Sequence, residues 1–445
     1  MKTLIKNANI VNENQTFKGD LLIYGNRIEE VASEISAENN YRIIDANGKY
    51  LLPGVIDDQV HFREPGLTHK ANIATESAAA VAGGVTTFFE QPNTSPQTTT
   101  IELLEEKFAI ASKTSFANFS FFLGGTNDNL EQLKQLDRNA CVGIKLFLGS
   151  STGNMLVDDE KTIETIFSNI DLVIAAHCED EQTIRRNTEL YTQRYGEHIS
   201  IEKHPLIRSS EACFLSSSKA IHLAEKTGAR LHVFHLSTAQ ETELFRNDIP
   251  LKDKKITAEV CVHHLWFSDE DYKSKGNFIK WNPAVKTSND REHLWKALLD
   301  DRLDVIATDH APHTLDEKKN TIYSKIPSGG PLVQHSLVAM LENARKGKIS
   351  IEKIVEKMCH NPAILFEIKE RGFIREGYYA DLVLVDLNNP WQVSKENILY
   401  KCGWSPFEGN TFHSKIIATF VGGNLVYENG KVNPIPQGMR VTFNR

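Results

Sequence analysis

A chain of 445 residues is too long for one small core and suits a large barrel-type domain with a smaller companion, since barrels commonly run to about 250 residues. Its 50 Lys and Arg stand against 58 Asp and Glu, a net charge of −8 spread without blocks of one sign, which argues against nucleic acid or an anionic membrane surface as the main partner and leaves a small molecule as the expected ligand. The six cysteines (Cys141, Cys178, Cys213, Cys261, Cys359, Cys402) are scattered and form no C-x-x-C, so neither a disulfide framework nor a thiolate zinc site is indicated, and buried reduced thiols are expected.

The opening "MKTLIKNANIVNENQ" is broken by Lys and Asn, and no apolar run approaches the roughly 20 residues of a membrane span, so a cytoplasmic location is expected. Residues 1 to about 52 contain "KTLIKNANIV" and "GDLLIYGNRIEEVA", short alternating strands punctuated by Gly and Asn. Eight apolar, β-branched segments follow: "YLLPGVIDD", "GVTTFFEQ", "ANFSFFLGG", "CVGIKLFLG", "DLVIAAHCE", "ARLHVFHLS", "KITAEVCVH" and "LDVIATDH". Between them "TIETIFSN", "EACFLSSSKAIHLAEKTG" and "REHLWKALLDD" show helical spacing. Near-continuous apolar strands alternating with helices imply a parallel sheet covered on both faces, and eight such units predict an α/β fold with a (β/α)8 barrel over residues 53–374. The end of the chain, with "ADLVLVDL" and "SKIIATFVGGNLVYENGKV", returns to short strands, so residues 375–445 are expected to join residues 1–52 in one small β-sandwich domain built from both termini.

In such a barrel the active site gathers at the C-terminal strand ends. Polar residues cluster there: His61 and Arg63 follow the first strand, Asn93 the second, Lys145 lies in the fourth, His177 ends the fifth, His235 the sixth, Asn282 follows the seventh, and Asp309 and His313 finish the eighth. Each alone has an ordinary explanation as a hydrogen-bonded cap. Together, three histidines and an aspartate from separate strands are the nitrogen and carboxylate donors that a zinc-like ion prefers. In "PGVIDDQVHFREPG" strand alternation puts Asp57, Gln59, His61 and Arg63 on one side and Asp58, Val60 and Phe62 on the other. A metal-binding row of this kind would carry a histidine where Gln59 stands. Lys145 in the apolar "GIKLFLG" must reach solvent, pair with an acid or change chemically, because an unpaired buried charge costs several kcal/mol. Reaction with CO2 gives an anionic carbamate whose two oxygens can bridge two metals.

These motifs, with "EQPNTSP", "TAEVCVHHL", "KWNPAVK", "ATDHAPH" and "SPFEG", resemble the dihydroorotases of the amidohydrolase superfamily over essentially the full length. That family interconverts N-carbamoyl-L-aspartate and (S)-dihydroorotate in de novo pyrimidine synthesis. The resemblance implies that His61 and Asp309 ligate a first metal, that Lys145 bridges as a carbamate, and that His177 and His235 hold a second. It implies one or two Zn2+ per chain and Asp309 as the general base and acid for a metal-activated bridging water. It matches Arg63, Asn93 and His313 to the carboxylate-binding positions and Asn282 to a contact with the pyrimidine ring, and it suggests a homo-oligomer such as a dimer. The segment "PSGGP" sits where the family has a substrate-touching turn, but Ser328 is not the usual residue there.

Gln59 departs from the family's D-x-H-x-H. An amide oxygen is a weaker donor than imidazole, so Gln59 as a metal ligand predicts a first site more weakly held than the second. Three other readings accompany the main one. "GSSTG", residues 149–153, fits a serine hydrolase's G-x-S-x-G. Allantoinases and hydantoinases hydrolyse other cyclic amides on the same fold, and Arg63 with Asn93 favours a ring that carries a carboxylate. A non-catalytic scaffold would explain Gln59 alone. For His263 and His264 a structural or ligand-supporting role stands level with a ligand role, and His198, His204, His222, His360 and His413 are read as surface or packing residues. The charged "TLDEKKNTIYSK", residues 314–325, is read as a solvated loop able to move over the substrate.

Overall fold

The computed structural model describes residues 2–149 and 155–445. The N-terminal part forms strands β1 (Lys2–Asn12), β2 (Gln15–Tyr24), β3 (Arg27–Ala32), β4 (Tyr41–Asp45) and β5 (Tyr50–Pro53). The barrel strands are β6 (Val55–Val60), β7 (Val85–Glu90), β8 (Asn118–Gly124), β9 (Gly143–Phe147), β10 (Ile174–His177), β11 (Leu231–Val233), β12 (Ile256–Cys261) and β13 (Val305–Ala307). They pair in parallel, each with the next in sequence. The ring closes where Val60 bridges His310 and the His61 N–H donates to the His310 carbonyl at 2.7 Å. This is the expected eight-stranded α/β barrel.

After the barrel come β14 (Leu382–Asp386), β15 (Trp391–Gln392), β16 (Thr411–Phe412), β17 (Lys415–Val421), β18 (Asn424–Glu428) and β19 (Lys431–Val432). A nine-stranded sheet runs β19-β18-β17-β14-β5-β1-β2-β3, with β4 also on β1. It is mainly antiparallel, with β4 and β5 parallel to β1. Ile5 and Ile10 of β1, Leu21 of β2, Leu382 of β14 and Phe420 of β17 share one apolar core, so strands from both ends of the chain are held by the same burial. Two later stretches leave this sheet. Tyr400 and Phe407, between β15 and β16, pack into the barrel's outer core, and Val441 and Phe443 enter the apolar plug beneath the barrel with Phe122, Phe234 and Phe366.

The segment "YLLPGVIDD", expected as one strand, is two. Tyr50–Pro53 pairs with β1 and β14 in the small sheet, and only Val55–Val60 enters the barrel. The break falls at Gly54, where a Cβ would lie 2.0 Å from the Thr86 hydroxyl, so only glycine lets the chain cross this close to β7.

The expected alternation along β6 fails as well. Its register on β7 shifts between Asp57 and Val60. Val60 packs outward, whereas Asp58 turns into the barrel toward His232 of β11 and Glu259 of β12. A bulge adds a residue to one strand, and the two-residue period is lost across it. Residues 314–325 also differ from a solvated loop. Lys318 is buried and donates to the carbonyls of Pro327 and Gly329, and Tyr323 is buried against His204.

Candidate metal and substrate site

Strand ends followed by helix caps fix the mouth of the barrel. His177 ends β10, and three residues on Asp180 accepts from the Thr183 N–H to start helix Glu181–Tyr195, so the intervening Cys178 and Glu179 have one path. Three site residues carry left-handed backbone: Arg63 at φ 71°, His235 at φ 41° and Asp309 at φ 47°. Each such residue costs about 1–3 kcal/mol and persists where its surroundings over-determine it. The His235 N–H donates to Glu259 Oε1 at 3.0 Å. The Asp309 carbonyl accepts from the Trp281 indole, and its neighbour His310 is clamped by the Glu76 carboxylate at 2.9 Å on one ring nitrogen and by the Leu332 and Val333 N–H groups on the other.

On one side of the mouth, His177 Nδ1 lies 3.0 Å from His235 Nε2. His177 Nε2 lies 3.0 Å from Glu179 Oε2, and Glu179 pairs with Arg208. Burial alone would raise the Glu179 carboxyl, but the Arg208 guanidinium and the His177 ring hold it at about 2. On the other side, His61 Nε2 is 3.1 Å from Asp309 Oδ1, and His61 Nδ1 is 2.8 Å from the Asn93 amide oxygen. If Nδ1–H donates to Asn93, the lone pair of Nε2 faces a carboxylate, an arrangement that a shared cation relieves. Burial lowers the pKa of His61, His177 and His235, so all three rings offer neutral lone pairs at pH 7.

Lys145 lies electrostatically between the pairs. Its charge bears on His177 and His235, and the charges of Glu259 and Asp309 bear on it. Among the described residues its Nζ has no hydrogen-bond partner, and it sits 3.9 Å over the Phe234 ring. Burial pushes its amine down to about 7. Gln59 is buried, and its Oε1 lies 3.6 Å from Cys261 Sγ, so its amide oxygen is drawn to β12.

A cationic corner adjoins His61. Arg63 donates to the Pro312 carbonyl at 3.1 Å and approaches His313 Nε2 at 3.1 Å, while Lys70 Nζ lies 3.0 Å from His313 Nδ1. Burial lowers the Arg63 guanidinium to about 10, which leaves it charged at neutral pH. His313 also lies 3.0 Å from the Ser328 carbonyl, which brings the "PSGGP" turn to this corner. Asn282, with a buried amide oxygen lacking a partner among the described residues, lines a cavity of about 570 Å3 with Arg208, Tyr323, Pro327 and Ser328.

Sequence reasoning missed Lys70, Glu179, Glu259, Trp281 and the His310–Glu76 clamp. Only Glu179 carried a usable signal, an acid two residues beyond a strand-end histidine; the others reach the site from loops or neighbouring strands. His263 stacks on Trp281, and His264 Nε2 lies 3.2 Å from the Pro283 carbonyl, while Cys261, His263 and His264 each bring one donor atom within 4.8 Å of the others. His204 and His360 are buried packing residues. Residues 150–153 of the "GSSTG" segment lie outside the described residues.

The barrel, the small sheet and the site can be set beside known proteins. The chain is 33% identical over 417 residues to a dihydroorotase of Halobacterium salinarum, covering 93% of this chain and 94% of that protein. It is 30% identical over 444 residues to an allantoinase of Desulfitobacterium hafniense, covering 98% and 97%. Its fold matches the L-hydantoinase of Arthrobacter aurescens with a TM-score of 0.94 over 99% of both chains at 27% identity. Residues 50–426 match the model of the amidohydrolase family, whose members are metal-dependent hydrolases, and no helix among the described residues is long and apolar enough to cross a membrane. With the family model spanning most of the chain and the strand-end histidines converging as they do, this chain belongs to the amidohydrolase family.

Proposed function

We propose that this chain is a dihydroorotase, interconverting (S)-dihydroorotate and N-carbamoyl-L-aspartate. The observation that carries the substrate choice is the buried Arg63 guanidinium, which lies with neutral His313 beside His61 and Asp309; Lys70 at the same corner is already paired with Glu317 at 2.9 Å. A ring carboxylate is met there by a guanidinium able to bind it bidentately, whereas the neutral rings of allantoin and hydantoin leave that buried charge unmatched. The dihydroorotases among the relatives agree with this choice.

The donor set fits divalent metal. Neutral buried imidazoles set against each other or against a carboxylate, with a lysine amine that has no partner among the described residues, make a donor set that a cation would satisfy. His177 and His235 would hold one ion and His61 with Asp309 another, with Lys145 between them as a carbamate. An amine with a pKa of about 7 is substantially free base at neutral pH; it adds to CO2, forming an N–C bond and releasing one proton. Bound metal supplies a Lewis acid that acidifies water and polarises the ring amide.

The residues do the rest. Asp309 takes a proton from the attacking water and returns it to the ring nitrogen as the C–N bond breaks. Trp281 and His310 hold the Asp309 backbone in its left-handed conformation for that transfer. Arg63 and His313 orient the substrate carboxylate. With the Asn93 oxygen engaged by His61, its NH2 group is the donor left for substrate. Asn282 has an amide oxygen without a partner among the described residues, which would be the acceptor for a ring N–H.

The test is a comparison of kcat/KM for dihydroorotate, allantoin and hydantoin with metal-loaded protein. Dihydroorotate is expected to be preferred by at least about 100-fold, the scale of one lost charge-assisted bidentate pair. Preference for a neutral ring would move the chain to the allantoinase or hydantoinase reading, and no hydrolysis at all would favour the scaffold. Incorporation of 13C-labelled CO2, giving a carbamate carbon signal that disappears in Lys145→Ala, checks the lysine separately.

A further inference from the structure

Below the catalytic mouth, Asp58 of β6, His232 of β11 and Glu259 of β12 converge inside the barrel, all three with no solvent exposure. His232 Nε2 lies 3.3 Å from Asp58 Oδ2 and 3.6 Å from Glu259 Oε2. None of these three atoms, nor the second Asp58 oxygen, has a hydrogen-bond partner among the described residues. The rings of Phe234 and Phe366 pack against His232, so the surroundings are apolar.

The hydrogen bonds that do exist orient the group. The Thr257 hydroxyl has the Leu231 carbonyl as its acceptor at 3.4 Å, which leaves the hydroxyl oxygen to receive His232 Nδ1–H at 2.8 Å. His232 therefore turns Nε2 toward the two carboxylates. A ring nitrogen fixed by a hydrogen bond on its far side is the usual support of a metal-binding histidine. Glu259 is anchored in the same way, its other oxygen accepting the His235 N–H. The two separations from His232, 3.3 and 3.6 Å, are close to the roughly 3.3 Å between ligands about 2.0–2.1 Å from a tetrahedral zinc-like centre, and all three donor atoms lie within 4.8 Å of one another. Burial beside the Asp58 charge pushes the Glu259 carboxyl well above its usual range, and against the effect of burial the two acids raise the His232 imidazole to about 9, so without an ion the cluster is held by protons; a divalent cation would take their place and neutralise both acids.

We propose that Asp58, His232 and Glu259 form a second, buried site for a divalent cation of the zinc class, separate from the ligands at the mouth, which ties β6, β11 and β12 together across the barrel interior. The shift in β6 that turns Asp58 inward supplies its third ligand. Through Glu259 the ion also braces the left-handed backbone of His235.

Zinc-edge anomalous diffraction of zinc-loaded protein, together with metal counting by plasma mass spectrometry, tests this without reference to any substrate. The expected result is a peak within about 2.3 Å of all three side chains and a count one ion per chain higher than in Asp58→Asn, which keeps the volume of the side chain. Ions at the mouth with no peak at this cluster would overturn the proposal, as would equal counts in the two proteins. Should Asp58→Asn fail to fold, 15N chemical shifts of His232 in the zinc-loaded parent decide. Protonation of both ring nitrogens means that a proton occupies the place and the proposal is wrong; an unprotonated, zinc-shifted Nε2 supports it.

Discussion

The two sides of the barrel mouth solve the same problem unequally. On the β10–β11 side, two imidazoles face each other at 3.0 Å, with Glu179 against the His177 ring and Glu259 holding the His235 backbone. On the β6–β13 side, His61 meets Asp309, but Gln59 is drawn toward Cys261. In the proposed function the first side would have supported ligands from adjacent strands. The second would have one imidazole and one carboxylate that also serves the chemistry, which would separate ligand strength from catalytic duty across the mouth.

The largest expected effect comes from the catalytic member of the weaker side. Asp309→Asn should lower kcat by about 10^3-fold or more while metal bound through His177 and His235 is retained; equal loss of both would mean that Asp309 acts mainly as a ligand. Arg63→Lys should reduce kcat/KM for dihydroorotate by about 10–100-fold, mostly through KM, with unchanged metal content, because a point charge replaces a fork.

Glu179→Gln attacks the supported side and should weaken metal binding by about 10–100-fold, read by competition with a chromogenic chelator. Its acid stability follows with a definite sign. The folded pKa of about 2 lies below the ordinary 4.5, so the stabilisation is complete above pH 4.5 and lost as the pH falls through 2. Wild type should lose roughly 3 kcal/mol over that window by urea melts in the metal-free state, and the variant should lose less. The smallest effect is Gln59→His, which should tighten the weaker side by up to about 10-fold in zinc titration while moving kcat only a few-fold; no change in affinity would show that position 59 faces away from the ion.

The eight parallel strands were legible because buried apolar runs repeat with helical spacers, and the strand-end residues were legible because a barrel places such positions at one mouth. His61, His177, His235 and Asp309 therefore came from chain position alone. The alternation along "VIDDQVHF" was misleading, since a bulge is a matter of pairing between strands and leaves no mark in one strand's own period. Lys318 illustrates the same limit. In "TLDEKKN" it reads as a solvated charge, yet it caps carbonyls of the 327–329 turn that only folding brings near.

By itself the sequence determined the eight apolar segments that supply the barrel strands, which polar groups stand at their ends, and that Gln59 stands where the family resemblance expects a histidine. Tertiary structure alone decided where each group points. It turned Asp58 inward and Gln59 toward Cys261, set Glu179 on His177 and Lys70 on His313, and held Asp309 and His235 in left-handed backbone. The reason is physical: local propensity and periodicity act within a segment, whereas side-chain partners and strained backbone are fixed by contacts between segments far apart in the chain, where burial makes an unmatched charge costly.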